Sequence, residues 1–136
     1  MRRRFKFSDP IYDRRYQLHV CKRRRFEKLI AGMVREPFQL GVGSHGACVE
    51  IRNDDGTQCV AIWIPPRTAR GAASGDPDDM GIVVHESSHA ILFAFGLVGV
   101  PINAEHDEAF CYYHQWLTAE IVRKLRTLRK NPGDRQ

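Results

Sequence analysis

The sequence predicts one α+β domain: a small antiparallel β-sheet packed on two long helices, with an N-terminal hairpin and helix ahead of them. Three observations carry that prediction. Residues 48–64 alternate apolar and polar side chains on either side of Asp55-Gly56, the period of paired strands. Residues 22–35 place apolar side chains three and four apart, the period of an amphipathic helix. Residues 77–95 form an apolar stretch behind strong helix-start residues. A chain of 136 residues has room for one modest core. The reading is a single domain over 1–136, with a basic segment 1–35, a core 36–129 and a disordered basic tail 130–136.

In chain order, Phe5-Lys6-Phe7 alternates, Ser8-Asp9-Pro10 supplies turn residues, and Tyr16 to Val20 alternates again, which predicts an N-terminal hairpin. Phe26, Leu29, Ile30, Met33 and Val34 then mark the apolar side of a helix over about 22–35, closed by Pro37. Its Arg23-Arg24-Arg25 run reads as a solvated face. Next comes the glycine-rich Gly41-Val42-Gly43-Ser44-His45-Gly46, and then the central hairpin. A two-residue type I′ turn at Asp55-Gly56 would set Ile51 opposite Val60 and Val49 opposite Ile62, giving one wholly aliphatic face. In that register Cys48 faces Trp63 and Cys59 faces Arg52, which argues against a disulfide between them. Cys21, Cys48, Cys59 and Cys111 show no C-x-x-C spacing and read as free thiols.

Pro65-Pro66 ends the hairpin, and residues 67–75, small and almost without large apolar side chains, read as a loop, either a connector or a mobile flap over a cleft. Asp76 as N-cap, Pro77 at N1 and two further acids start a helix expected over 77–95 and stopped at Gly96. Ile82, Val83, Ile91, Leu92, Phe93 and Phe95 leave that helix apolar on most sides, so it should be buried in the core.

Inside it lies His85-Glu86-Ser87-Ser88-His89. Histidines four apart on a helix share a face and can reach one metal ion. The glutamate beside them can take a proton from a metal-activated water, the general base of a zinc hydrolase. Metal ligation would also satisfy imidazoles that a buried helix leaves without water. A catalytic zinc site needs a third protein ligand and an open position. The chain offers Glu105, His106, Asp107 and Glu108 at the head of a final helix, expected from Ala109 to about Arg129.

Charge is unevenly spread. Residues 1–35 hold twelve Lys/Arg against three acids, residues 36–122 three against twelve, and the tail is basic again. An acidic middle suits a divalent cation, while the basic ends could face nucleic acid, an acidic partner or the acidic middle itself. No run of about 18 uncharged apolar residues is present, so no membrane span is expected. The basic start lacks the apolar stretch of a secretory signal, which predicts a cytoplasmic protein.

The run His85 to Phe93, followed by Gly96-Leu97 and then by Asp107-Glu108-Ala109-Phe110 opening a helix, resembles the small gluzincin-like metallopeptidases of the ImmA/IrrE and phage-encoded type, over roughly residues 47–120. The resemblance implies a minimal zincin-like fold, with a strand hairpin ahead of the motif helix, and zinc-dependent cleavage of a protein or peptide substrate. It implies His85, His89 and Glu108 as zinc ligands, Glu86 as base, and a water completing the shell. Glu108 follows His89 by nineteen residues, close to the thermolysin-like arrangement. That arrangement has an Asp four residues after the ligand Glu, where this chain has Tyr112; the extended histidine of metzincins falls on Phe95. The third histidine of SprT-like proteins would be His106 or His114. Tyr112, one helical turn beyond Glu108, is the expected oxyanion donor, with His106 and Arg70 as lesser candidates. Two other readings use the same residues: a zinc-stabilised binding protein without turnover, such as a phage or mobile-element factor, and a SprT-like DNA-associated protease that contacts DNA through Arg23, Arg24 and Arg25.

Overall fold

The computed structural model describes residues 1–105 and 107–129, and among these two β-hairpins and four helices build an α+β domain. The strands are β1 (Arg3–Ser8), β2 (Arg15–Val20), β3 (Ala47–Arg52) and β4 (Gln58–Ile64). The helices are α1 (Arg23–Val34), α2 (Pro66–Ser74), α3 (Pro77–Val98) and α4 (Asp107–Thr127). The expected disordered tail and His106 lie outside the described residues.

The sheet order is β1-β2-β4-β3. Each hairpin is antiparallel within itself, but β2 and β4 run parallel, so the wholly antiparallel sheet predicted from the sequence is corrected to a mixed one. The physical reason is α1. It carries the chain across one face after β2, and only such a crossover lets a later strand run parallel to an earlier one.

Both faces of the sheet are covered. Phe26 and Ile30 of α1, fully buried, pack on Ile51, Cys59, Ala61 and Trp63. Tyr16, Leu18, Val20, Val60, Ile62 and Ile64 face α2, α3 and α4 on the other side. Burying a side chain such as Ile62 or Phe26 contributes about 1.5–3 kcal/mol, so each face is held by several such residues.

This two-sided burial explains why the central register differs from the expected one. Ile51 pairs with Cys59 and Val49 with Ala61, while Cys48 pairs with Ile62 and Glu50 with Val60. Asn53 N–H donates to Thr57 O at 2.8 Å and Gly56 N–H to Asn53 O at 3.0 Å. The loop is therefore the three residues Asp54-Asp55-Gly56, with Gly56 at φ 83°, and not a two-residue type I′ turn. A one-residue slip sends side chains to opposite faces. The two aliphatic rows thus face different layers, and Cys48 and Cys59 lie on opposite sides of the sheet as free thiols.

Residues 67–75 are not a loop. Pro66 occupies the first turn of α2, where its missing N–H costs nothing, and Thr68, Ala69, Ala72 and Ala73 are its buried side. Small residues there let α2 lie close against α3 and α4, so the composition that reads as flexible is a packing device. Gly75 closes α2 at φ 87°, and Asp76 accepts hydrogen bonds from the Asp78 and Asp79 N–H groups to open α3. Helix α3 continues through Gly96 to Val98 and ends at Gly99 (φ 71°), one turn beyond the expected stop. Its length, and a mean hydropathy of 1.4 over an 18-residue window, would allow it to cross a membrane, while its inner side packs on the sheet, α2 and α4.

Candidate metal centre

Helix α3 lies on the sheet with α2 and α4 beside it, which leaves one stripe of it uncovered. Gly81, Val84, His85, His89, Leu92 and Gly96 are exposed along that stripe, whereas Val83, Glu86, Ser87, Ala90, Ile91, Ala94 and Phe95 are buried. The expectation of a helix buried on most sides is corrected: both histidines face solvent, while Glu86 and Ser87 between them are enclosed.

His85 and His89 turn their Nε2 atoms toward each other at 3.2 Å, with ring centroids 4.8 Å apart and planes at 74°. Two nitrogen ligands on one tetrahedral zinc, each at about 2.0–2.1 Å, stand roughly 3.3–3.4 Å apart. The observed separation fits two corners of such a site. Neutral imidazoles offer the lone pairs this requires.

Glu86 is 6 % exposed, and among the described residues no group hydrogen-bonds its carboxylate. It turns toward the start of β3, where a Cβ at Gly46 would lie 3.0 Å from its Cγ and 3.1 Å from its Oε1. Burial raises its pKa above the usual carboxylate range, and the neighbouring His85 and His89 pull it back only in part. Cys48, on the same side of β3, has its thiol pushed up by burial first and by the Glu86 charge second. A buried carboxylate without partners holds a proton more readily than one in water, the property a general base near neutral pH requires.

The two serines of the motif are accounted for locally. Ser87 and Ser88 each donate to the carbonyl four residues back, Val83 and Val84, at 2.8 Å. Ser88 Oγ also stands 3.4 Å from Nε2 of His114 on α4.

Helices α3 and α4 form an antiparallel hairpin, and this sets which α4 residues are level with the motif. Phe110 stacks edge-on against Phe95 at 6.1 Å, six residues beyond His89, on the order of 9 Å along the axis. His114 is level with Ser88. Glu108, in the first turn of α4, is exposed and lies beside the far end of α3, as Glu105 and Asp107 lie at or before it. Among the described residues no third His, Cys, Asp or Glu joins His85 and His89 in a cluster. Tyr112 is 68 % exposed and lines a cavity of about 310 Å³ with Ile11, Tyr12, Ala109 and Trp116. That side of α4 is roughly opposite the one carrying Phe110 and His114. Arg70 is exposed on α2.

The structure thus brings together His85, Glu86 and His89, and does not bring Glu108 or Tyr112 to them. Gly46 was not legible as part of the site; its only signal was its place in the glycine-rich run before β3. Neither a family model, nor a curated protein, nor a solved structure matches the chain.

Proposed function

We propose that this chain is a zinc-dependent peptidase in which His85 and His89 hold the ion and Glu86 is the general base. The observation that carries the reading is the pairing of a buried, unpartnered Glu86 with two imidazoles whose Nε2 atoms stand 3.2 Å apart. A structural helix has no need of that combination, since an unsatisfied buried carboxylate costs about 1–3 kcal/mol or more. When bound, zinc would supply an acidified water and polarise the substrate carbonyl. Glu86 accepts the proton at its carboxylate and returns it to the departing amine. Gly46, just before the edge strand β3, leaves room for the Glu86 side chain to lie against the backbone there. Glu108 is the proposed third ligand; it pairs with no cation among the described residues, and its place at the head of α4 requires that end of the helix to come toward His89. His106, two residues earlier in the sequence, is the alternative.

A second reading, a zinc-stabilised binding protein without turnover, is favoured by the position of Glu108 and Tyr112 away from the histidine pair. One experiment separates the two. Zinc is measured in the purified chain, and peptide hydrolysis is followed with and without chelator and in Glu86→Gln. The peptidase reading expects zinc retained in the variant and turnover lowered by at least 100-fold. Zinc without chelator-sensitive hydrolysis supports the binding protein, and a chain that takes up no zinc sinks both.

A further inference from the structure

Part of the basic N-terminal third of the chain gathers on one side of the sheet. Strand β1 is an edge strand, and its alternation puts Phe5 and Phe7 against the core while Arg4 and Lys6 point to the other face. That is the face α1 covers over β3, β4 and β2, with Phe26 edge-on against His19 of β2 at 5.6 Å, while β1 lies outside its cover. Arg4 and Lys6, about 6.7 Å apart along the strand, stay exposed beside it. Arg4 stands over His19 and its charge acts on that ring, as Lys6 acts on the Cys59 thiol. Arg2 and the exposed Arg25 of α1 both act on the Cys21 thiol at the end of β2. Arg2, Arg4, Lys6 and Arg25 therefore share one side of the molecule.

The acids of this region are already committed. Asp9 is buried in a network with backbone N–H groups and Tyr113, and Glu27 is paired with Arg23. Only Asp13 is left; it lies at the turn end of the hairpin, where it lines a cavity with Lys6 and Arg15, away from Arg2 and Arg4 at the other end of β1. Among the described residues none of Arg2, Arg4, Lys6 and Arg25 pairs with a carboxylate. Arg23, by contrast, is occupied by Glu27 and by the Leu40 carbonyl.

We propose that this face binds the phosphate backbone of duplex nucleic acid without sequence preference. Charge alone is offered here. A protein partner would need an apolar anchor at the centre of its interface, and the large exposed hydrophobic residues, apart from Met1, lie elsewhere. A single strand would need exposed rings for its bases to stack on, and the aromatic residues of this face, Phe26 and Trp63, are buried. What remains is a row of fixed cations, the complement of a duplex backbone.

The test is fluorescence anisotropy of the full chain with a labelled mixed-sequence DNA duplex of about 20 base pairs, between 50 and 200 mM salt. Four phosphate contacts predict a slope of log K against log salt of about −3.6, or roughly 150-fold weaker binding across that range. Arg4→Gln with Lys6→Gln should weaken binding at 50 mM by at least ten-fold and bring the slope to about −1.8. Both positions are exposed, and an unchanged circular dichroism spectrum confirms the fold. Arg52→Gln, on the other face of the sheet, should bind as the unaltered chain does. The proposal is overturned if the unaltered chain does not bind duplex at 50 mM salt, if a single strand of equal length binds more tightly, or if the two substitutions change neither affinity nor slope.

Discussion

Gly46 and Glu86 fit against each other only because position 46 has no side chain: a Cβ there would stand 3.0 Å from Glu86 Cγ and 3.1 Å from both Glu86 Oε1 and Ile82 Cγ2. Gly46→Ala must push Glu86 and Ile82 aside by a few tenths of an ångström. Overpacking of this kind costs about 1–3 kcal/mol. The expected outcome is a folded protein of slightly lower melting temperature, unchanged zinc content and at least ten-fold lower peptidase turnover. Full turnover in Gly46→Ala would show that the carboxylate's position is not set from β3.

The two imidazoles act as one unit at 3.2 Å, so His85→Ala and His89→Ala should each weaken zinc binding by at least 100-fold, and the double substitution should add little to either. Zinc titration with a competing chromophoric chelator measures this. Both residues are exposed, so the metal-free variants should unfold within about 0.5 kcal/mol of the metal-free parent.

Asp9 ties the N-terminal loop to α4. Its carboxylate, 2 % exposed, accepts from the N–H groups of Ile11, Tyr12 and Arg14 and from the Tyr113 hydroxyl at 2.8 Å. Tyr113 in turn bonds the Tyr16 hydroxyl, and burial pushes the pKa of both phenols up. Asp9→Ala strands several buried donors at once and should cost about 3 kcal/mol or more. Asp9→Asn, which keeps one of the two accepting oxygens, should cost less. Urea unfolding of the two variants gives the comparison, and equal losses would mean that the hydrogen bonds are not what Asp9 contributes.

His19 makes stability depend on pH. Burial first, and the Arg4 charge second, lower its pKa to about 4 from the ordinary 6.5. Between those values the unfolded chain holds a proton that the folded chain does not, so stability is full above pH 6.5 and falls as the pH drops toward 4. The loss from this residue is on the order of 3 kcal/mol. His19→Gln should remove that part of the acid dependence, and an unchanged pH profile in the variant would assign it elsewhere.

The local elements of this protein were written in its sequence because local chemistry decides them. Asp76 and Pro77 open α3, the spacing of Phe26 and Ile30 makes α1, and the alternation at Phe5 and Phe7 makes β1. The pairing of His85 with His89 is equally local, since residues four apart on a helix share a face. Tertiary structure decided what depends on neighbours. It made 67–75 a helix, because alanines read as slack until a partner helix lies against them. It set the β3–β4 register through a layer on each face of the sheet, and the parallel β2–β4 pairing through the crossover of α1. Above all it divided the motif, placing its histidines in solvent and its glutamate inside against Gly46, and set His114 rather than Glu108 level with it. Helical spacing fixes which residues stand side by side, while only the packing of α3 between the sheet and α4 determines which of them is enclosed and what stands opposite.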